Sequence, residues 1–161
     1  MIEFVTIGVY GYDADRFFSA LVGAQVDTLC DIRRRRSVRG AEYAFANSTR
    51  LQARLAALGI GYRHRIDLAP SAALRGQQAQ ADHHAHIARR ERTQLSPQFV
   101  EGYEAAVLTG FDAAAFVRDL SPDAQVVALL CVEREPGACH RSLLANYLHA
   151  QLGAVVRHLT P

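Results

Sequence analysis

VVALLCVEREPGACHRSLLANYL, residues 126–148, reads as a strand, a turn and the start of a helix. Its first part, Val126 to Cys131, is an unbroken apolar run, the pattern of a strand buried on both faces. Pro136-Gly137 interrupts it, and from Cys139 onward Leu144, Tyr147, Leu148 and Leu152 recur at helical spacing. A doubly buried strand feeding a helix is half of a crossover in a parallel sheet. The junction sets Cys139, His140 and Arg141 at a helix start, where backbone N–H groups lack partners and the helix end is partly positive. A thiol, an imidazole and a guanidinium in that place suit an anion site or an activated cysteine.

The alternation extends in both directions. Residues 2–7 read as a strand, Gly8 to Gly11 as a turn, and Asp13 as an N-cap before Phe17, Phe18, Leu21 and Val22. Val26 to Ile32 is a second strand; after a long loop Ser48 is expected to cap a helix with Leu51, Leu55 and Leu58 inward, stopped by Gly59. Gly61 to Ile66 is a third strand, closed by Asp67 to Pro70. Ser96-Pro97 opens a helix carrying Phe99, Val100, Tyr103, Val107 and Leu108, Asp112 to Leu120 forms another, and Ala154 to Leu159 is a final strand. The expected fold is a single α/β domain over residues 1–161, a mostly parallel sheet of about five strands flanked by helices in Rossmann-like or flavodoxin-like layering. Residues 71–95, rich in Ala, Gln, Arg and His, have little to bury and predict an exposed polar helical insertion.

Composition sets limits on function. Half of the 161 residues are apolar, enough for one core. All 18 basic residues are arginine, which biased base composition explains more readily than recognition does, so only clustered arginines carry weight. With a net charge of +2 the chain is not a polyanion binder by charge alone. Three cysteines without a signal peptide argue against a disulfide framework and for a cytoplasmic setting. The longest apolar run, Val126 to Val132, is far short of the roughly 20 residues a membrane span needs, so no membrane partner is expected.

Ligands in parallel sheets bind beyond the carboxyl ends of the strands. That rim collects Gly8 to Gly11 with Tyr10, the Arg33 to Gly40 loop, Asp67 to Ser71, and Glu133 to Arg141. Cys139 is the candidate nucleophile and His140 its base, against the plainer reading of a small residue in a corner and an idle imidazole. Cys131, at the strand end, reads first as core, although two cysteines with seven residues between them could form a transient redox disulfide. Arg141 needs an acid or an anion in a helix's first turn, and an ion pair with Glu133 competes with a bound phosphate. The five arginines from Arg33 to Arg39 repel one another unless neutralised; strand alternation would turn Arg33 and Arg35 to one side, Arg34 and Arg36 to the other. Tyr43 and Phe45 pin that loop down. His83, His84 and His86 lack a full set of metal ligands, and Cys131, Cys139 and His140 lack the close cysteine spacing of structural zinc, so neither metal nor cofactor is expected. A dinucleotide fingerprint and a P-loop are missing, and Gly137 and Ala145 stand where a cysteine phosphatase would need arginine.

EFVTIG at the start, CDIRRRR, LGIGYRHRIDLAP, LLCVEREPGACHRSLLANYL and the terminal VVRHL together resemble the domain of unknown function 488 family. The resemblance implies a parallel α/β domain with a shared rim site of Arg33, Cys131, Glu133, His140 and Arg141, and no reaction. Gly8-Val9-Tyr10 stands where that family commonly has Gly-His-Ser, and the prolines often found after its second strand are missing. The functional expectation is an anionic small molecule, phosphorylated or a nucleotide, held at the rim by Arg33, Arg35 and Arg141 with Glu133, Cys131 and Tyr10 nearby, and acted on through Cys139 or His140. The alternative is a nucleic-acid-binding module using the Arg33 to Arg39 loop.

Overall fold

The computed structural model describes all of residues 1–161. Five strands, β1 (Glu3–Ile7), β2 (Thr28–Asp31), β3 (Gly61–His64), β4 (Val126–Leu130) and β5 (Val155–Leu159), form one wholly parallel sheet in the order β3-β2-β4-β1-β5. β4, the doubly apolar run of the opening stretch, lies at the centre. The edge strands β3 and β5 are half exposed and carry Arg63, His64, Arg157 and His158, the charged composition that discourages further strand pairing.

Helices cover both faces. Helix α1 (Ala14–Gly23) and α2 (Ser48–Ala57) pack Phe17, Phe18, Leu21, Leu51 and Leu55 against Val5, Ile7, Leu29, Ala128 and Leu130. On the opposite face α3 (Ala72–His84), α4 (Pro97–Tyr103), α5 (Ala113–Asp119) and α6 (His140–Leu152) enclose Phe4, Cys30, Val127 and Leu129. The period of two along each strand divides its side chains between these two cores. The layering is doubly wound, but β4 inserts between β2 and β1, so the strand order differs from both common doubly wound orders. The connection after β4 leads to the α6 face while those after its neighbours β1 and β2 lead to the α1 and α2 face. The loops diverge there and open a crevice above the strand ends.

Local departures have local causes. Asp13, Ser96 and Asp112 cap their helices through side-chain oxygens, as their positions predict. Ser48 is the first helical residue and not the cap; Asn47 holds the cap position, its side chain accepting instead from the Val38 amide at 2.9 Å to pin the long loop. α4 ends at Tyr103 and widens into a π-helical turn, Glu104–Leu108, so the single helix expected there is divided. The 71–95 segment is helical and mostly exposed, as its composition predicts, but it is anchored. Leu74, Gln78, Asp82 and Arg92 are buried, and a polar seam replaces an apolar face: Gln78 Nε2 donates to Asp82 Oδ1 at 2.8 Å, Gln78 Oε1 accepts from the Ser96 amide, and Arg92 Nη1 donates to Asp82 Oδ2 at 2.7 Å. No helix is long and apolar enough to cross a membrane.

Candidate functional site

A cavity of about 660 Å³ lies above the carboxyl ends of β2 and β4, walled by α3 and the Arg89–Glu91 turn. Its floor is Cys131, Cys139 and His140, and eight arginines line it. Cys131 follows β4 directly, and Cys139 is the N-cap of α6, delivered by a tight Pro136–Ala138 turn. Arg92 clamps that turn by donating from Nε and Nη2 to the Ala138 carbonyl.

His140 fixes the chemistry of the floor. Its Nε2 lies 3.1 Å from the Ile32 carbonyl oxygen, which can only accept, so Nε2 carries the proton and Nδ1 faces the sulfurs. Nδ1 is 3.7 Å from Cys131 Sγ and 3.8 Å from Cys139 Sγ, and all three ligand-capable atoms lie within 4.8 Å of one another. Tyr103 packs its ring on the imidazole with centroids 5.4 Å apart. Burial pushes the Cys131 thiol well above the ordinary range, and Cys139 and Glu133 push the same way. Burial acts against the Cys139 thiolate as well, but the Cys131 thiol, His140 and Arg141 together outweigh it and hold Cys139 well below that range. Burial likewise opposes the imidazolium, yet Cys139 and Glu133 leave His140 with a raised proton affinity. These directions favour a thiolate on Cys139 and an imidazolium on His140, with the Cys131 thiol protonated beside them. It is also the one cluster of soft donors that could hold a metal.

The charges expected at the site divide into two groups. Arg141 is fully buried and is not a cavity residue: it forms no ion pair with the Glu133 carboxylate, and donates to the main-chain carbonyls of Glu133 and Arg134 and to Thr6 Oγ1. It braces the β4–α6 loop from behind, because a guanidinium inside the fold can satisfy several carbonyls at once. Arg33 lines the cavity but is neutralised, with Nε and Nη2 bidentate on Asp31 at 2.8 and 2.7 Å and Nη1 on the Ala46 carbonyl. The expected alternation fails because β2 ends at Asp31 and the chain turns: Arg34 and Arg35 both line the cavity. The Glu133 carboxylate is held by Arg89 at 2.9 Å and Arg92 at 3.3 Å and accepts from Cys131 Sγ at 3.4 Å, so it orders the floor and is not free to hold a ligand.

Five cavity arginines, Arg34, Arg35, Arg39, Arg75 and Arg90, have no carboxylate within 4 Å. Burial holds Arg75 below its ordinary proton affinity, and repulsion from Arg34, Arg35 and Arg89 adds to that; its Nε is buried with no hydrogen-bond partner. Tyr10 stands at the mouth, 5.2 Å from the Tyr43 ring, with the Arg90 guanidinium over both rings. Phe45 is buried against Phe17 and Phe18, fixing the loop as expected. Of the predicted residues, Cys131, Cys139, His140, Arg33, Arg35, Glu133 and Tyr10 share this cavity, while Arg141 supports it. The sequence reading missed Arg75 and Arg90; the run Arg89-Arg90-Glu91-Arg92 was a second basic burst that could have pointed to Arg90, whereas Arg75 stands alone in a polar helix and gave no signal. His83 and His84 end α3 and His86 follows it, all three exposed.

A model of the family described as domain of unknown function DUF488 matches residues 13–148, most of the chain. The chain belongs to this family. The match takes in every cavity element described above except the Gly8–Tyr10 turn, so the DUF488 region and the cavity coincide. No curated protein and no solved structure matches the chain. For this DUF488 protein the chemistry has to be argued from the cavity itself.

Proposed function

We propose that the rim cavity binds a small anionic molecule, phosphorylated or a nucleotide, and presents it to Cys139, with His140 holding and returning the proton. One observation carries this reading: five arginines without acid partners line the same cavity as Cys139 and His140. Like charges gathered this closely cost free energy in the empty fold, and an anion relieves that cost while making forked, charge-assisted hydrogen bonds. Arg34, Arg35 and Arg39 share a concave cavity with Arg75 and Arg90 from other elements, which favours a compact guest over a long polyanion lying across a surface.

The test is a titration of thermal stability with inorganic pyrophosphate at fixed ionic strength. A ligand at about 100 times its Kd adds about 2.7 kcal/mol, worth roughly 5–10 °C in a chain of this size. The expected result is a saturable rise in Tm that the double variant Arg35→Ala/Arg75→Ala abolishes. No saturable rise, together with duplex DNA binding that weakens steeply between low and moderate salt, would transfer the arginine loop to the nucleic-acid reading.

A further inference from the structure

Cys131 does more than support the Cys139 thiolate: it stands on the same imidazole at nearly the same distance as Cys139 does. Cys30, the third cysteine, lies buried in the core on the α3–α6 face of the sheet, outside the cavity. Cys131 and Cys139 both line the cavity floor and lie with Nδ1 of His140 in a cluster no more than 4.8 Å across. The two sulfurs are no more than 4.8 Å apart, and with the intervening loop held by Arg92 and Arg141 it is rotation of the two cysteine side chains that has to close the remaining gap. Resting on the anion-pocket reading, we propose that the cavity is a dithiol redox site whose substrate is a negatively charged organic disulfide, with Cys139 attacking and Cys131 resolving.

The steps balance. The Cys139 thiolate gives its electron pair to one sulfur of the substrate R–S–S–R, the substrate S–S bond breaks, and the departing RS⁻ takes the proton from the His140 imidazolium to leave as RSH. Cys131 then gives its proton to Nδ1 of the neutral imidazole, and its thiolate attacks Cys139 Sγ of the mixed disulfide. The Cys131–Cys139 bond forms, the second RS⁻ leaves with the proton from His140, and the protein dithiol has been oxidised while the substrate is reduced to two thiols. Glu133, fixed 3.4 Å from Cys131 Sγ by Arg89 and Arg92, orients that thiol before attack. The unpaired arginines select the charge of R, since they line the same cavity as the two sulfurs.

The experiment treats the fully reduced protein with oxidised glutathione, a net-negative disulfide, and in parallel with uncharged hydroxyethyl disulfide, and maps the products by non-reducing mass spectrometry. The expected product is a peptide linked through Cys131 and Cys139 with Cys30 unmodified, formed about tenfold faster from the anionic reagent, in line with charge steering into a basic cleft. Cys131→Ser should halt at a glutathione adduct on Cys139. The two readings fail separately. If the disulfide forms equally fast from both reagents and pyrophosphate gives no Tm shift, the anion pocket is wrong and the dithiol stands. If pyrophosphate stabilises the protein but wild type stays reduced or stops at the mixed disulfide, the redox proposal is overturned. Stoichiometric zinc bound by Cys131, Cys139 and His140 that blocks oxidation would overturn it as well.

Discussion

Cys30, Cys131 and Cys139 are the same side chain in three electrical settings. Burial, with Asp31 and Asp67 adding to it and Arg65 opposing, pushes Cys30 up to about 12, and Cys131 rises through burial, Cys139 and Glu133, whereas Cys139 is held low by the Cys131 thiol, His140 and Arg141 against the cost of burial. A lowered thiol stays ionised as pH falls past the ordinary value of about 8.5 and loses its charge only at its own lower pKa. Alkylation of Cys139 is therefore expected to hold its rate as pH falls through the free-thiol range and to decline only in more acidic solution, while His140→Gln shifts the decline toward the free-thiol value. Peptide-resolved labelling across pH checks this, and a wild-type midpoint near that of a free thiol contradicts it. Arg141 illustrates the limit of residue-scale reading. A first-turn arginine correctly demanded an acceptor, but the acceptors are main-chain carbonyls brought close by the fold, which no spacing in the sequence reveals. Arg141→Ala leaves those buried carbonyls without donors and is expected to cost about 2–5 kcal/mol in urea unfolding.

At the scale of elements, two junctions hold the cavity in shape. The β1 turn passes so near the β4 loop that a Cβ on Gly8 would sit 1.9 Å from the Glu133 carbonyl oxygen and 3.0 Å from Arg141 Nη1. Both neighbours are fixed, the carbonyl by Arg141 and Arg141 by burial, so neither can yield cheaply. Gly8→Ala should lower stability by roughly 2–3 kcal/mol and displace Glu133, which thermal unfolding together with faster labelling of Cys131 would detect. The second junction is α3, whose Asp82 anchors Arg92, which in turn holds the Ala138 carbonyl and Glu133. Asp82→Ala leaves a buried guanidinium short of a partner, with an expected loss of about 3 kcal/mol and a looser cavity wall read as weaker pyrophosphate stabilisation. The strands and most helices were legible because apolar period and capping residues act locally, as in Val126 to Leu130 and at Asp13. α3 is the mostly exposed polar helix expected, but its anchoring was not legible because Gln78 and Asp82 are buried as hydrogen-bonded polar groups, and a hydrophobic period cannot register burial of that kind.

For the whole molecule, the net charge of +2 conceals how unevenly the charge is placed. The rim holds five arginines without acid partners, while the other exposed pairs, such as Arg65 with Asp67 and Arg134 with Glu135, are ordinary surface contacts worth little. Salt screens both kinds of interaction, so the sign of its effect shows which dominates. Raising sodium chloride from about 10 mM to about 150 mM shortens the screening length from about 30 Å to about 8 Å. Repulsion across the cavity is relieved more than the few surface attractions are weakened, because Arg75 is held among Arg34, Arg35 and Arg89 and its burial leaves Nε without a partner. The Tm of wild type is expected to rise by a few degrees over this range, with sodium sulfate at equal ionic strength raising it further because a divalent oxyanion fits the forked donors. Arg75→Gln removes one charge from the centre of the cluster and should both raise Tm at low salt and flatten the salt response. A scanning-calorimetry series in the two salts measures each part: a Tm that falls as sodium chloride is added, or an Arg75→Gln variant as salt-sensitive as wild type, would show that the arginines are not strained against one another and that the cavity has no stored preference for an anion.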